Sequence, residues 1–248
     1  MGKLHIGTSG YNYPHWGRGV FYPRDVPQRQ WLEYYSRYFD TVELNVTFYR
    51  LPKREVFEGW YQRTPEGFVF AVKGSRYITH IRRLRECEEP IERFSENLQA
   101  LREKLQVILW QLPPRFTYQR ERLVAFSGLI AASPLLNKIR HAFEFRHESW
   151  FVPEAAKVLE EYGFSFCISD SPHLPSAETV TADFVYLRFH GSHSLYSSKY
   201  TEQELVHWAS RIRPWLDQGR SVYAFFNNDA HGYAVENARR LGQILEEG

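Results

Sequence analysis

Glu43, Lys73, Glu144, Arg146, Arg188 and His190 each stand at or just beyond the end of a short apolar run. Side chains alternate along an extended chain, so residues two apart share a face. That rule pairs Glu43 with Asn45, Ala71 with Lys73, Glu144 with Arg146, Arg188 with His190 and Phe225 with Asn227, and we add Gln111 and Asp170 at single positions. The opposite parity holds Val42, Leu44, Phe70, Val72, Phe143, Phe145, Leu187 and Phe189, an apolar set suited to packing under helices. Three cations among several amides suit an anion, because Arg offers a planar fork to phosphate or carboxylate and Lys a compact point charge. Lys73, Arg146 and Arg188 are therefore expected to bind the anion, with Asn45, Gln111, Asp170 and Asn227 beside them.

For proton transfer Glu144 ranks first, with His190 and Glu43 behind it, since a carboxylate between cations and apolar walls can be tuned in either direction. A divalent metal is the rival reading, as Glu43, Glu144, His147, Asp170, His190 and Asp229 all have ligand chemistry. Lys73, Arg146 and Arg188 would repel a positive ion there, so no cofactor is the preferred expectation. The bland alternative is an ion-pair network balancing Glu43, Glu144 and Asp170 against the three cations. Burying so many charges for stability alone is often neutral or worse, which favours a site.

These residues need elements to hold them. Eight apolar runs, at 4–10, 41–45, 68–73, 106–111, 141–147, 164–170, 184–190 and 221–229, mostly alternate with helix-like segments. The pattern predicts one (β/α)₈ barrel over 1–248, whose active site forms where strands end and loops begin. Ile91, Phe94, Leu98, Leu101 and Leu105 fall on one helical face, and Thr201 with Glu204 forms a capping box opening the next-to-last helix. Pro172, Pro175 and polar neighbours leave 171–183 without a convincing helix, so a loop is expected between the sixth and seventh strands. The tails after strands seven and eight, with Gly191, Asn227, Asn228 and Asp229, are where such barrels often bind a phosphate.

At 248 residues, 43% apolar and 17% aromatic, the chain is long and apolar enough for one barrel core. A net charge of +2 announces neither nucleic acid nor membrane. No apolar run approaches the roughly 20 residues of a membrane span, and the first strand follows Met1 too closely for a signal peptide, so a cytoplasmic protein without a membrane partner is expected. Cys87 and Cys167 suit idle buried thiols rather than a disulfide framework. A basic stretch runs from Lys73 through Arg76, Arg82 and Arg83 to Arg85 without an acid, and the expected top loops carry Tyr11, Tyr13, Tyr49, Tyr77 and Tyr196. A solvated surface and ordinary aromatic packing are the common causes; stacking on a base or sugar is the sharper one, with Tyr11 placed in the substrate-binding set.

Several blocks, Ile6-Gly-Thr-Ser-Gly-Tyr11, Val42-Glu-Leu-Asn-Val-Thr-Phe-Tyr-Arg-Leu-Pro52, Ile78-Thr-His80, Gln111-Leu-Pro-Pro114, Phe143-Glu-Phe-Arg-His-Glu-Ser-Trp150, Asp170-Ser-Pro172, Arg188-Phe-His-Gly191 and Phe226-Asn-Asn-Asp229, resemble the signature blocks of the domain of unknown function 72 family, also called YecE-like. The resemblance spans essentially the whole chain and implies a TIM barrel but no established activity. More distantly the fold resembles the barrels of endonuclease IV and the xylose isomerases. Lys73, Gln111, Arg146 and Arg188 depart from those metal cages, and Gln111 with Arg188 or His190 does not supply a glycosidase's two carboxylates. The expected function is an enzyme acting on a small anionic or phosphate-bearing substrate in the barrel mouth, first of all phosphate-ester hydrolysis. The alternatives are a sugar isomerase or lyase, and a protein binding nucleic acid or nucleotide; oligomeric state is left open.

Overall fold

The computed structural model describes residues 2–247. Runs rich in Val, Phe, Tyr and Ile form β1 (Leu4–Thr8), β2 (Thr41–Leu44), β3 (Val69–Lys73), β4 (Leu105–Gln111), β5 (Arg140–Glu144), β6 (Ser165–Phe166), β7 (Ile168–Asp170), β8 (Phe184–Phe189) and β9 (Ser221–Phe226). All pair in parallel, in a four-stranded sheet ordered β1-β9-β8-β7 and a five-stranded sheet ordered β2-β3-β4-β5-β6. The sheets meet at two seams. Ser9 bridges Glu43 between the ends of β1 and β2, and the Gly10 amide donates to the Glu43 carbonyl at 2.8 Å. At the other seam β6 and β7 are successive halves of one barrel strand, separated by Cys167, whose amide donates back to Phe143 at 2.9 Å. Eight strand positions thus surround one axis, the TIM-barrel arrangement.

The helices are α1 (Trp31–Tyr35), α2 (Val46–Tyr49), α3 (Arg54–Gln62), α4 (Glu88–Leu98), α5 (Arg120–Ala132), α6 (Pro153–Tyr162), α7 (Glu202–Asp217) and α8 (Tyr233–Glu246). Their local signals are ordinary. Pro153 sits in the first turn of α6, where its missing N–H costs nothing, and Gly163 closes that helix in the left-handed region. Thr201 and Glu204 form the expected capping box on α7. The face expected from 90 to 105 is α4 followed by 3-10 turns over Gln99–Lys104, with β4 already starting at Leu105. Between β7 and β8 the chain at 171–183 forms no helix, as its prolines and polar residues predict.

Alternation sorts the core into two layers. Val42, Leu44, Phe70, Val72, Phe143, Phe145, Leu187 and Phe189 belong to the large apolar layer beneath the helices. Val69, Ala71, Val107, Leu109, Ala142, Cys167, Phe184, Tyr186, Tyr223 and Phe225 fill the barrel axis as a separate cluster. The floor of the barrel is polar: Arg140 donates to the Tyr223 hydroxyl at 2.8 Å, which donates to Gln106 at 2.9 Å. Above the apolar axis the next inward positions carry the charges of the site.

Candidate functional site at the barrel mouth

Glu43, Lys73, Glu144 and Arg188 follow the axial residues at the C-terminal ends of β2, β3, β5 and β8, and all four are buried. Arg188 is the hub. Its Nε and Nη2 donate to the two Glu43 oxygens at 3.0 and 2.7 Å, and Nη1 donates to Glu144 Oε2 at 2.6 Å. Glu43 also accepts from Ser9 Oγ and the Tyr186 hydroxyl, each at 2.7 Å. The other Glu144 oxygen accepts from Arg146 Nε at 2.9 Å, with Arg146 Nη2 also 2.9 Å away. Bidentate guanidinium pairing of this kind is among the strongest polar interactions available to a buried carboxylate.

The electrostatic consequences follow. Burial pushes both carboxyl groups up, but Arg188 and Lys73 bring Glu43 below its ordinary value, and Arg146 and Arg188 hold Glu144 well below it. Glu144 is thus a fixed anion. Lys73 behaves oppositely. Burial and the nearby Arg188 charge pull its ammonium down to about 7, only partly opposed by Glu144 and Glu43. Lys73 Nζ lies 4.2 Å from the centre of the Phe48 ring, and among the described residues it forms no ion pair. His190 is buried at the same level; burial lowers it to about 4, so its ring is neutral at neutral pH. Asn227 Nδ2 lies 3.0 Å from His190 Nδ1 and donates to it, which leaves the ring proton on Nε2. That Nε2 is 3.3 Å from Glu144 Oε1 but lacks hydrogen-bond alignment and has no other partner.

The other expected residues divide. Gln111 is buried and pairs in register with Glu144 across β4 and β5. Asn45 follows β2 with its side-chain oxygen buried and unpartnered. Asp170 lies in register with outward-facing Phe189, and its carboxylate accepts from Trp208 on α7 at 2.8 Å, so it turns away from the barrel axis. The inward neighbours on that strand are Cys167 and Ser169, whose sulfur and hydroxyl lie 3.9 Å apart. Asn228 is buried in a loop tie, donating to the Ser198 carbonyl at 2.9 Å and to Asn237 at 3.0 Å. Asp229 sits at the rim, its carbonyl accepting from Trp16 at 2.8 Å and its carboxylate 3.4 Å from His15. Tyr11 is half-buried, packed at 6.2 Å from the Tyr35 ring in the outer layer.

Ser9 and Tyr186 are not in the expected set, although parity marks both: Tyr186 lies two residues before Arg188, and Ser9 two after Gly7, which is in register with axial Phe225. Tyr13 closes over the same level, its hydroxyl donating to the Ser9 carbonyl at 2.5 Å. Tyr196 meets the His190 ring edge-to-face at 5.6 Å. His80, lowered to about 4 by burial and by Lys73, Arg76 and Arg146, registers a positive field at this side of the mouth. Among the described residues no three His, Cys, Asp or Glu side chains converge in a metal-holding geometry.

A family model described as "Protein of unknown function DUF72" matches residues 5–248. The UPF0759 protein YunF of Bacillus subtilis (strain 168) is 27% identical, over 98% of this chain and 95% of its own. A DUF72 family protein from Thermotoga maritima MSB8, TM1631, superimposes with a TM-score of 0.87 and 31% identity, covering 98% of this chain and 99% of that one. SacUVDE superimposes with a TM-score of 0.60 at 7% identity, over 100% of this chain and 99% of its own, a likeness of fold alone. The family match bears out the resemblance drawn from the sequence blocks over nearly the whole chain, and the chain belongs to the DUF72 family.

Proposed function

We propose that this protein is an enzyme that takes an anionic, phosphate-bearing substrate into the barrel mouth, with hydrolysis of a phosphate ester as the first reaction to test. The observation carrying this reading is Lys73, a buried amine without a carboxylate partner, beside Arg146 at the mouth. Lys73, Arg146 and Arg188 face only Glu43 and Glu144, so the cluster holds one positive charge more than its acids neutralise when Lys73 is protonated. A buried charge of this kind is costly unless paired, and an incoming phosphate would pair it.

The residues take different parts from those their types alone suggest. Arg188 has its donors committed to Glu43, Glu144 and Ser9, and in this reading it fixes the two acids rather than gripping substrate. Arg146 and Lys73 hold the anion. Protonated Lys73 pairs the anion's charge while a water oxygen bonds to phosphorus and the ester P–O bond breaks; a proton from that water ends on the departing oxygen, which accepts a hydrogen bond from the neutral His190 Nε2–H. Glu144 keeps Arg146 in place, and Asn227 orients the His190 ring. We place this activity in the cytoplasm, in keeping with two buried free thiols, and among the described residues no helix is long and apolar enough to cross a membrane.

The test is turnover of chromogenic phosphomonoesters and phosphodiesters by the wild-type protein and by Lys73→Met and His190→Gln. Hydrolysis that falls at least a hundredfold in both variants supports the reading. Turnover only of unphosphorylated sugars would replace it with the isomerase or lyase alternative.

A further inference from the structure

Beside the mouth, over the end of β3, lies an open cleft of about 530 Å³ floored by Phe48, Ile78 and Phe94. A second cleft of about 440 Å³ adjoins it and shares Tyr77, Ile81 and Arg82. Their walls carry an excess of positive charge. Arg50, Arg76, Arg82 and Arg93 line the first and Arg85 the second, against Glu89 and Glu86. Arg82 pairs with Glu86 at 2.9 Å, whereas among the described residues Arg50, Arg76 and Arg93 form no ion pair.

The same walls hold exposed apolar faces. Tyr49 is 78% exposed, Ile81 60% and Tyr77 43%. The Arg82 guanidinium lies 5.4 Å from the Tyr77 ring centre while its Nε donates to the Tyr77 hydroxyl at 3.0 Å, so the ring is braced rather than free to collapse. Unpaired arginines along a groove with aromatic faces between them form the pattern that binds single strands, where phosphates follow the cations and bases stack on the rings. The groove also reaches the site. Phe48 lines the cleft with one side and carries Lys73 Nζ over its ring at 4.2 Å.

We propose that this groove binds a single-stranded nucleic acid and leads one of its backbone phosphates to Lys73 and Arg146. The inference rests on the anion-binding reading of the mouth and names its substrate class as a phosphodiester strand. Duplex DNA fits the observations less well, because its bases are stacked inside and could not use Tyr49 and Tyr77.

The test is fluorescence anisotropy with labelled 12-nucleotide single-stranded DNA, single-stranded RNA and duplex DNA at several KCl concentrations. Binding of one or both single strands is expected, at least tenfold tighter than the duplex and weakening steeply with salt. The comparison of DNA with RNA identifies which strand is preferred. Arg82→Ala with Arg93→Ala should cost at least tenfold and flatten the salt dependence, and Tyr77→Ala about fivefold or more at unchanged salt slope. All three residues are solvent-facing, and circular dichroism of the variants confirms folding. Equal binding of duplex, or of heparin as a featureless polyanion, would overturn the inference, as would wild-type affinity in the groove variants. The two readings fail separately. Sulfate binding that depends on Lys73, without any oligonucleotide binding, sinks the groove alone; oligonucleotide binding that needs Arg82 and Arg93 but is indifferent to Lys73→Met upholds the groove and sinks its connection to the mouth.

Discussion

Removing the Arg188 guanidinium would leave Glu43 and Glu144 buried and facing each other with only Ser9, Tyr186 and Arg146 to hold them. Breaking a buried network by deleting one partner typically costs about 3–5 kcal/mol, so Arg188→Met is expected to lower the unfolding free energy in urea by that amount. A change below about 1 kcal/mol would mean that Arg188 is not the hub. Lys73 should act in the opposite direction. Its ammonium titrates at 10.5 ordinarily but at about 7 in the fold, so between these values the unfolded chain binds more protons and stability rises with pH. Below about pH 7 the charged amine is held at a cost. Lys73→Met is therefore expected to raise the Tm at pH 6.5, by about 2–4 °C for each kcal/mol relieved, and to remove the rise in stability above pH 7. Calorimetry showing an unchanged or lower Tm would refute this.

At the scale of elements, alternation is the part of the site that a reader of the sequence can use. It puts Glu43, Lys73, Glu144 and Arg188 inward and eight apolar neighbours outward, as found. Applied strictly, it also turns Asp170 outward, since Phe164, Phe166 and Ile168 share its parity and lie in the outer layer. Grouping Asp170 with the inward set overlooked that, and its carboxylate instead ties β7 to Trp208 on α7. An ion-pair network among these charges is the bland alternative the sequence offers, but the break at Cys167 and the way Arg188 divides its donors between Glu43 and Glu144 are not legible, because both depend on which strands meet. Arg188 finds Glu43 and Glu144 from 145 and 44 residues away in the chain. Loop chemistry is more local. Gly191 has φ of +105°, and a Cβ there would fall 2.4 Å from the Ser194 carbonyl oxygen. Gly191→Ala is expected to disturb the loop carrying Tyr196 and weaken anion binding severalfold while far-ultraviolet circular dichroism is unchanged. Wild-type anion affinity in that variant would show that the loop is not part of the site.

Over the whole molecule, two groups of titrations set the response to acid. His80, His141 and His190 are all lowered to about 4, His141 by burial between Trp110, whose indole donates to Nδ1 at 3.0 Å, and the Leu136 carbonyl, which accepts from Nε2 at 2.9 Å. Their ordinary value is 6.5, so from about pH 6.5 down to 4 the unfolded chain takes up protons that the folded chain refuses, and stability falls. Glu43 and Glu144 contribute stability that is present above 4.5 and is lost as the pH falls through their lower folded values. A two-stage loss is expected in urea titrations, histidines first and carboxylates below them. His141→Asn should shrink the first stage and leave the second; a single step unaffected by that variant would contradict the assignment.

The charge surplus at the mouth is tested most directly by calorimetric titration with sulfate, an anion whose charge does not change near neutrality. Measured at pH 6 and pH 8.5 in the wild-type protein and in Lys73→Met, affinity is expected to fall at least tenfold in the wild type as Lys73 loses its proton. It should be weak and nearly independent of pH in the variant. Sulfate binding that is equally strong in both proteins, or indifferent to pH in the wild type, would contradict a mouth built around an unpaired lysine.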